Sequence, residues 1–154
     1  MRRKEREITE TILIEDIIMK ADVCRIAMAN DNIPYIVTMN FGYSAEPEPA
    51  LYFHCANEGR KLEMIAKNSF VCFEMDTDHE LYIGPKGCDW GMKYTSVVGT
   101  GNISVVKGKE EKKAGLDLIM KHYGGEREFT YDEKVFARTT TLRLKIIEMT
   151  GKKR

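Results

Sequence analysis

The sequence predicts a small, mostly antiparallel β-barrel with helices packed outside it, in one domain spanning residues 1–154. Three observations lead there. About six β-rich runs are spaced along the chain without regularly alternating helices, which argues against a doubly wound parallel sheet. Asn30-Asp31-Asn32 parts two of those runs with hairpin chemistry, since Asn and Asp tolerate positive φ. Gly99 and Gly101 interrupt a long β-rich run, as at a bulge or a barrel corner.

Taken in order, the charged first residues are expected to fray or lie on the surface. Ile14, Ile17, Ile18 and Ala21 mark one face of a helix over Thr9 to Lys20, with Thr9 as N-cap. Val23 to Ala29 forms a strand, and Ile33 to Tyr43 returns as its hairpin partner. Pro34 stands near the start of that return, where a missing ladder donor does least harm. Ser44 to Pro49 is a loop, and Ala50 to Phe53 a further strand. Asn57 then suits an N-cap, and Leu62, Ile65 and Ala66 repeat at helical spacing. Asn68 can end that helix in a left-handed conformation before a strand over Phe70 to Glu74.

Thr77 to Lys93 holds three Gly, one Pro and little periodicity, which predicts an irregular excursion carrying the single tryptophan, Trp90. Tyr94 to Val106 is the Gly-interrupted strand. Lys109 to Tyr123 is a helix with Leu116, Ile119, Met120 and Tyr123 on one side, stopped by Gly124-Gly125. A short helical turn around Asp132 to Arg138 leads into a closing strand, Thr139 to Met149, with Leu142, Leu144 and Ile146 on one face.

Composition narrows the function classes. The 24 basic and 24 acidic residues cancel, so no global field points to nucleic acid or an acidic surface. No apolar run approaches the roughly 20 residues of a membrane helix, and MRRKERE lacks the apolar core of a signal peptide. A cytoplasmic protein is expected. Its four cysteines, Cys24, Cys55, Cys72 and Cys88, form no C-x-x-C pair and are expected as reduced thiols, with Cys24 and Cys72 in the core.

The stretch with most chemistry is Leu51 to Glu74, a strand, helix, strand unit with Gly59, Arg60 and Lys61 in the helix's first turn. A helix N-terminus offers unpaired N–H donors and the positive end of a dipole. Two cations there oppose the dipole unless an anion sits among them, and Arg and Lys both suit a phosphate. The alternative is a pair of solvated charges balanced by Glu58 or Glu63.

The ordered set RIAMANDNIPYIVTMNFGY, LYFHCANEGRKLEMIAKN, VCFEMD and YTSVVGTGNI resembles the flavin-binding split-barrel family of pyridoxamine 5'-phosphate oxidase. Within it the wording looks most like the 5-nitroimidazole-resistance (Nim-type) branch, over nearly the whole chain. The resemblance implies a six-stranded antiparallel split barrel, a homodimer, and FMN in the clefts between subunits. It implies that His54, Cys55, Arg60 and Lys61 meet the FMN phosphate. It further implies that Val37, Thr38, Met39 and Asn40 run along the flavin ring, and that Tyr94 and Ser96 reach the same pocket across the dimer. Trp90 would either lie over the ring or plug the dimer interface.

The resemblance stops short of the oxidase itself. His54-Cys55 stands where that enzyme commonly has a hydroxyl residue, and the ending EMTGKKR lacks its basic and aromatic substrate end. The expected activity is FMN-dependent reduction of a small aromatic substrate such as a nitroimidazole, with His54 as proton donor. A non-catalytic flavin or tetrapyrrole binder is the second expectation, and a metal-dependent regulatory dimer using His79 and Cys88 the third, although their spacing fits no established zinc pattern. His122 is read as a charge complementing a helix C-terminus.

Overall fold

The computed structural model describes residues 3–154. Met1 and Arg2, where the predicted fraying begins, lie outside the described residues. The next residues dock: a 3-10 turn, Lys4–Arg6, leads into β1 (Glu7–Ile8), which pairs with Gly151 and Lys152 near the chain's end. The remaining strands are β2 (Cys24–Asn30), β3 (Ile33–Met39), β4 (Phe41–Ser44), β5 (Ala50–Ala56), β6 (Phe70–Tyr82), β7 (Gly91–Val105) and β8 (Thr139–Lys153). The helices are α1 (Thr11–Lys20), α2 (Arg60–Lys67), α3 (Lys109–Gly124) and α4 (Glu133–Arg138).

All strand pairs are antiparallel, and the hydrogen-bonded order is β3-β2-β6-β7-β8-β5-β4, with β1 added on β8. This path closes on itself. Its two end strands are consecutive in the chain and separated only by Asn40. Two Cα steps of about 3.8 Å bring both edges together, so the sheet is a barrel with its seam at Met39–Phe41. The strand count is eight among the described residues, not the expected six. The predicted run over 33–43 changes partner at Asn40, from β2 to β5, and counts twice; β1 adds the other.

Inside, Phe41, Phe53 and Phe73 are fully buried and stack with Ile26, Met75, Leu142 and Leu144. Ile14, Ile17, Ile18 and Ala21 are buried as their spacing predicts, closing one mouth of the barrel with α1. The α3 helix lies against β4 through Leu116 and Ile119. Gly42 is what lets it approach, because a Cβ there would collide with the backbone of Leu118 and Ile119.

Several local expectations are corrected. Helix α1 starts two residues later than predicted, with Glu10 as N-cap. The hairpin turn does hold Asp31 and Asn32 at φ 50° and 61°. At α2 the cap is Gly59, not Asn57, and Asn68 is extended rather than left-handed. The Asn68 amide instead accepts from the Phe70 N–H and donates to Ala29 O. The region over 77–93 is irregular only at its tip, over 83–90, where Gly87–Asp89 form a 3-10 turn. Strands β6 and β7 continue as a two-stranded ribbon through Glu80↔Lys93 and Tyr82↔Gly91, with a register shift between Thr77 and Glu80. A second shift, between Thr100 and Gly101, is the bulge its glycines announce.

Candidate functional site

Four elements meet at the seam of the barrel: the end of β3, the end of β5, the start of α2, and the corner where α4 runs into β8. Between them lies a cavity of about 470 Å³ lined by Thr38, Met39, Asn40, His54, Cys55, Ala56, Lys61, Arg138 and Thr139. Sequence positions a hundred residues apart arrive together for a simple reason. β5 and β8 pair from Ala50↔Lys145 to Ala56↔Thr139, which lays Thr139 beside the residues that follow His54.

Local conformation opens the start of α2. Gly59 has φ 127° and ψ 165°, a region open essentially to glycine alone. Being glycine, it offers no side chain to cap the helix, and no side-chain cap is formed. The first-turn amides therefore face outward with the positive end of the dipole. The Asn57 side chain turns the other way, accepting from Thr140 Oγ1 at 2.8 Å.

The cavity's side chains have few protein partners. Among the described residues, Thr38, Asn40 and His54 form no side-chain hydrogen bond or ion pair. Among the described residues Lys61 Nζ reaches only Met39 Sδ, at 3.5 Å, a weak acceptor. Arg138 Nε makes a long 3.4 Å contact to Lys134 O. Burial pushes the half-buried Cys55 thiol up, and Lys61 only partly offsets it, so Cys55 stays protonated at neutral pH. The arrangement combines two cations, open amides, an imidazole and a backbone edge, the equipment for gripping an anion and handing on a proton.

The other predicted residues stand elsewhere in the chain. Val37 is half-buried one residue before the lining of the cavity. Arg60 is exposed, its guanidinium 4.7 Å above the Tyr35 ring. Tyr94 and Ser96 belong to β7, which the sheet order separates from β3 by β2 and β6. Tyr94 Oη accepts from Lys152 Nζ at 2.7 Å, and that contact holds the phenol below its usual range. Trp90 sits 49% exposed on the ribbon, its indole N–H donating to Gly84 O at 2.8 Å. Arg138 and Thr139, which the sequence did not single out, are part of the cavity.

No group of His, Cys, Asp and Glu able to hold a metal ion occurs among the described residues. His79 instead pairs with Asp76 at 3.0 Å. His122 contacts Ala21 O at 2.8 Å and tilts against Phe41, a tie between α3 and the end of α1. No helix among the described residues is long and apolar enough to cross a membrane.

Comparison with known proteins agrees with this architecture. The family described as pyridoxamine 5'-phosphate oxidase matches residues 13–153. The chain is 33% identical to a candidate 5-nitroimidazole antibiotic resistance protein from Bacteroides thetaiotaomicron VPI-5482, covering 95% of this chain and 85% of that one, with a TM-score of 0.82. It shares its fold with the flavocytochrome Anf3 from Azotobacter vinelandii, at 16% identity, 100% and 72% coverage and a TM-score of 0.84. The FAD and heme binding protein from Mycobacterium smegmatis shows the same fold at 17% identity, 96% and 73% coverage, and a TM-score of 0.84. No curated protein matches.

Proposed function

The chain belongs to the pyridoxamine 5'-phosphate oxidase family, and from that premise we propose that it is an FMN-dependent oxidoreductase reducing a small aromatic substrate of the nitroimidazole type. One observation carries this reading: Thr38, Met39, Asn40, His54, Cys55 and Lys61 share one cavity and leave their polar groups almost unused by the protein. Cys55 and Lys61 are half-buried and Thr38, Asn40 and His54 open to solvent, so the cluster presents donors and acceptors at one accessible face where a ligand can meet them.

A flavin mononucleotide would enter this cavity by its phosphate end. Lys61, Arg138 and the open amides of α2 would hold the phosphate, with Lys61 as a point charge and Arg138 as a fork. Backbone groups of Thr38 to Asn40 would orient the ring edge. The flavin, when bound, supplies the redox chemistry. His54 would deliver a proton to the substrate, a general-acid role that an imidazole can fill. Tyr94, Ser96 and Trp90 would reach this cavity from the second subunit of a homodimer.

The visible spectrum of the purified protein, followed by anaerobic bleaching with a reduced nicotinamide and reoxidation by a nitroimidazole, tests the proposal. Flavin absorbance with nitroimidazole-dependent reoxidation is the expected result. A colourless protein that takes up no FMN contradicts the cofactor, and a flavin that nitroimidazole cannot reoxidise contradicts the substrate and leaves a binding protein.

A further inference from the structure

Three threonines open β8, and their hydroxyls meet different fates. Thr139 Oγ1 donates to Val135 O at 2.9 Å, and Thr140 Oγ1 donates to Asn57 Oδ1 at 2.8 Å. Thr141 is 0% exposed, and its Oγ1 has no partner among the described residues. Its carbonyl accepts from the Val106 N–H at 2.9 Å. A buried hydroxyl left unpaired loses its hydration without replacing it, so such groups are rare and ask for an explanation.

Helix α3 causes the burial. It crosses β5 and β8 at Gly115, where a Cβ would stand 2.6 Å from Tyr52 Cδ1 and 3.0 Å from Thr141 Cγ2. The bare residue lets the helix settle on the Thr141 methyl and shut the side chain off from water. Arg143, two residues on and on the same face of the strand, offers no answer. Its Nε is likewise shielded and unpaired, while its terminal nitrogen reaches Glu48 at 2.8 Å.

The sheet register supplies a partner. It sets His54 of β5 directly opposite Thr141 of β8. Opposed residues in an antiparallel pair project to one face, with Cβ atoms about 4.5–5.5 Å apart. An imidazole nitrogen and a threonine hydroxyl can meet across that spacing. His54 is exposed and forms no side-chain hydrogen bond among the described residues, so nothing holds its ring elsewhere.

We propose that Thr141 positions His54: its hydroxyl accepts from the imidazole Nδ1–H, which fixes the ring and turns Nε2 toward the seam cavity. Which ring nitrogen carries the proton is set by the hydrogen bond that the other makes. The role rests on the reading of His54 as proton donor. Protonated on both nitrogens, the ring gives its Nε2 proton to the substrate, whose electrons come from the reduced flavin. It keeps Nδ1–H on Thr141 and recovers the lost proton from solvent. Thr141 itself touches neither substrate nor flavin.

Nitrogen NMR of the imidazole ring tests the pair in the purified protein and two variants. Thr141→Val keeps the shape without the hydroxyl, and Thr141→Ser keeps the hydroxyl. With the ring neutral, the parent and Thr141→Ser should hold His54 mainly as the Nδ1–H tautomer. Thr141→Val should revert to the Nε2–H form that a free imidazole side chain prefers. Single-turnover reoxidation of the flavin-loaded protein by a nitroimidazole should slow about tenfold in Thr141→Val, the scale of one hydrogen bond. Thr141→Ser should stay close to the parent, and that rescue separates the hydroxyl from disturbed packing. The tautomer is read without substrate. A protein that shows the switch yet reduces no nitroimidazole therefore contradicts the proposed activity and supports the pairing. An unchanged tautomer in Thr141→Val, or a Thr141→Ser variant as slow as Thr141→Val, would overturn the proposal.

Discussion

The seam of the barrel and the outer face near the β6–β7 ribbon are both rich in polar side chains, but they treat them differently. On the outer face the groups satisfy one another. Arg25 forks between Glu74 at 2.9 Å and Asp76 at 2.7 Å, and Asp76 also meets His79. Asp78, held at φ 57°, accepts from Thr77 and Thr95. At the seam, among the described residues, His54, Asn40 and Thr38 have no protein partner, and Lys61 has a poor one. The outer network closes on itself and holds structure together, whereas the seam's side chains stand open to solvent.

The largest effect that would sharpen this contrast belongs to His54. In the FMN-loaded protein, His54→Ala should keep most flavin affinity and slow nitroimidazole-dependent reoxidation by roughly 10²-fold or more, the scale of a general acid. His54→Gln, which donates a hydrogen bond but does not titrate, should fall between. Single-turnover stopped-flow on the three proteins reads it directly. Normal turnover in the alanine variant would make His54 a bystander.

Gly59→Ala comes next. Forcing a Cβ into φ 127° should cost about 1–3 kcal/mol. Thermal denaturation should show the loss, and flavin binding should weaken as the start of α2 shifts. No change in either would mean that the turn relaxes freely and is not what opens the amides.

On the outer face effects should be small and pH-dependent. Burial raises the Asp76 carboxyl, but hydrogen bonds from Arg25 and His79 outweigh it and hold the group below its usual range. A depressed carboxylate contributes stability that is present above its unfolded value, about 3.9, and is lost as pH falls through its folded value. Asp76→Asn should therefore lower stability at pH 7 by less than about 1 kcal/mol, since the pair is partly exposed, and should converge with the parent in acid. Denaturant melts across pH 2–7 check this. A constant difference at all pH values would deny the linkage.

Much of the barrel was legible because its signals are local. Ile14, Ile17, Ile18 and Ala21 carry their helix face in their spacing, and Asp31-Asn32 carry the hairpin in their tolerance of positive φ. Most of the seam was legible as well, through the resemblance of Thr38 to Asn40, His54, Cys55 and Lys61. What escaped depends on competition or distance. Asn57 and Asn68 both can cap a helix, but Thr140 and Ala29 claim them, and only three dimensions decide that. The ribbon over 77–93 buries little on either face, so it has no alternation to read. Arg138 and Thr139 enter the site through the pairing of β5 with β8, which no local pattern encodes.

The claim that the open seam grips a phosphate is tested most directly by flavin fluorescence titration of the parent and Lys61→Ala with FMN and with riboflavin. Loss of one charge-assisted contact is worth about 1.5–3 kcal/mol, on the order of 10- to 100-fold. FMN affinity should fall by that factor in Lys61→Ala while riboflavin affinity holds, and Arg60→Ala, whose guanidinium rests on Tyr35, should discriminate less. Equal losses for FMN and riboflavin, or none for either, would contradict the account.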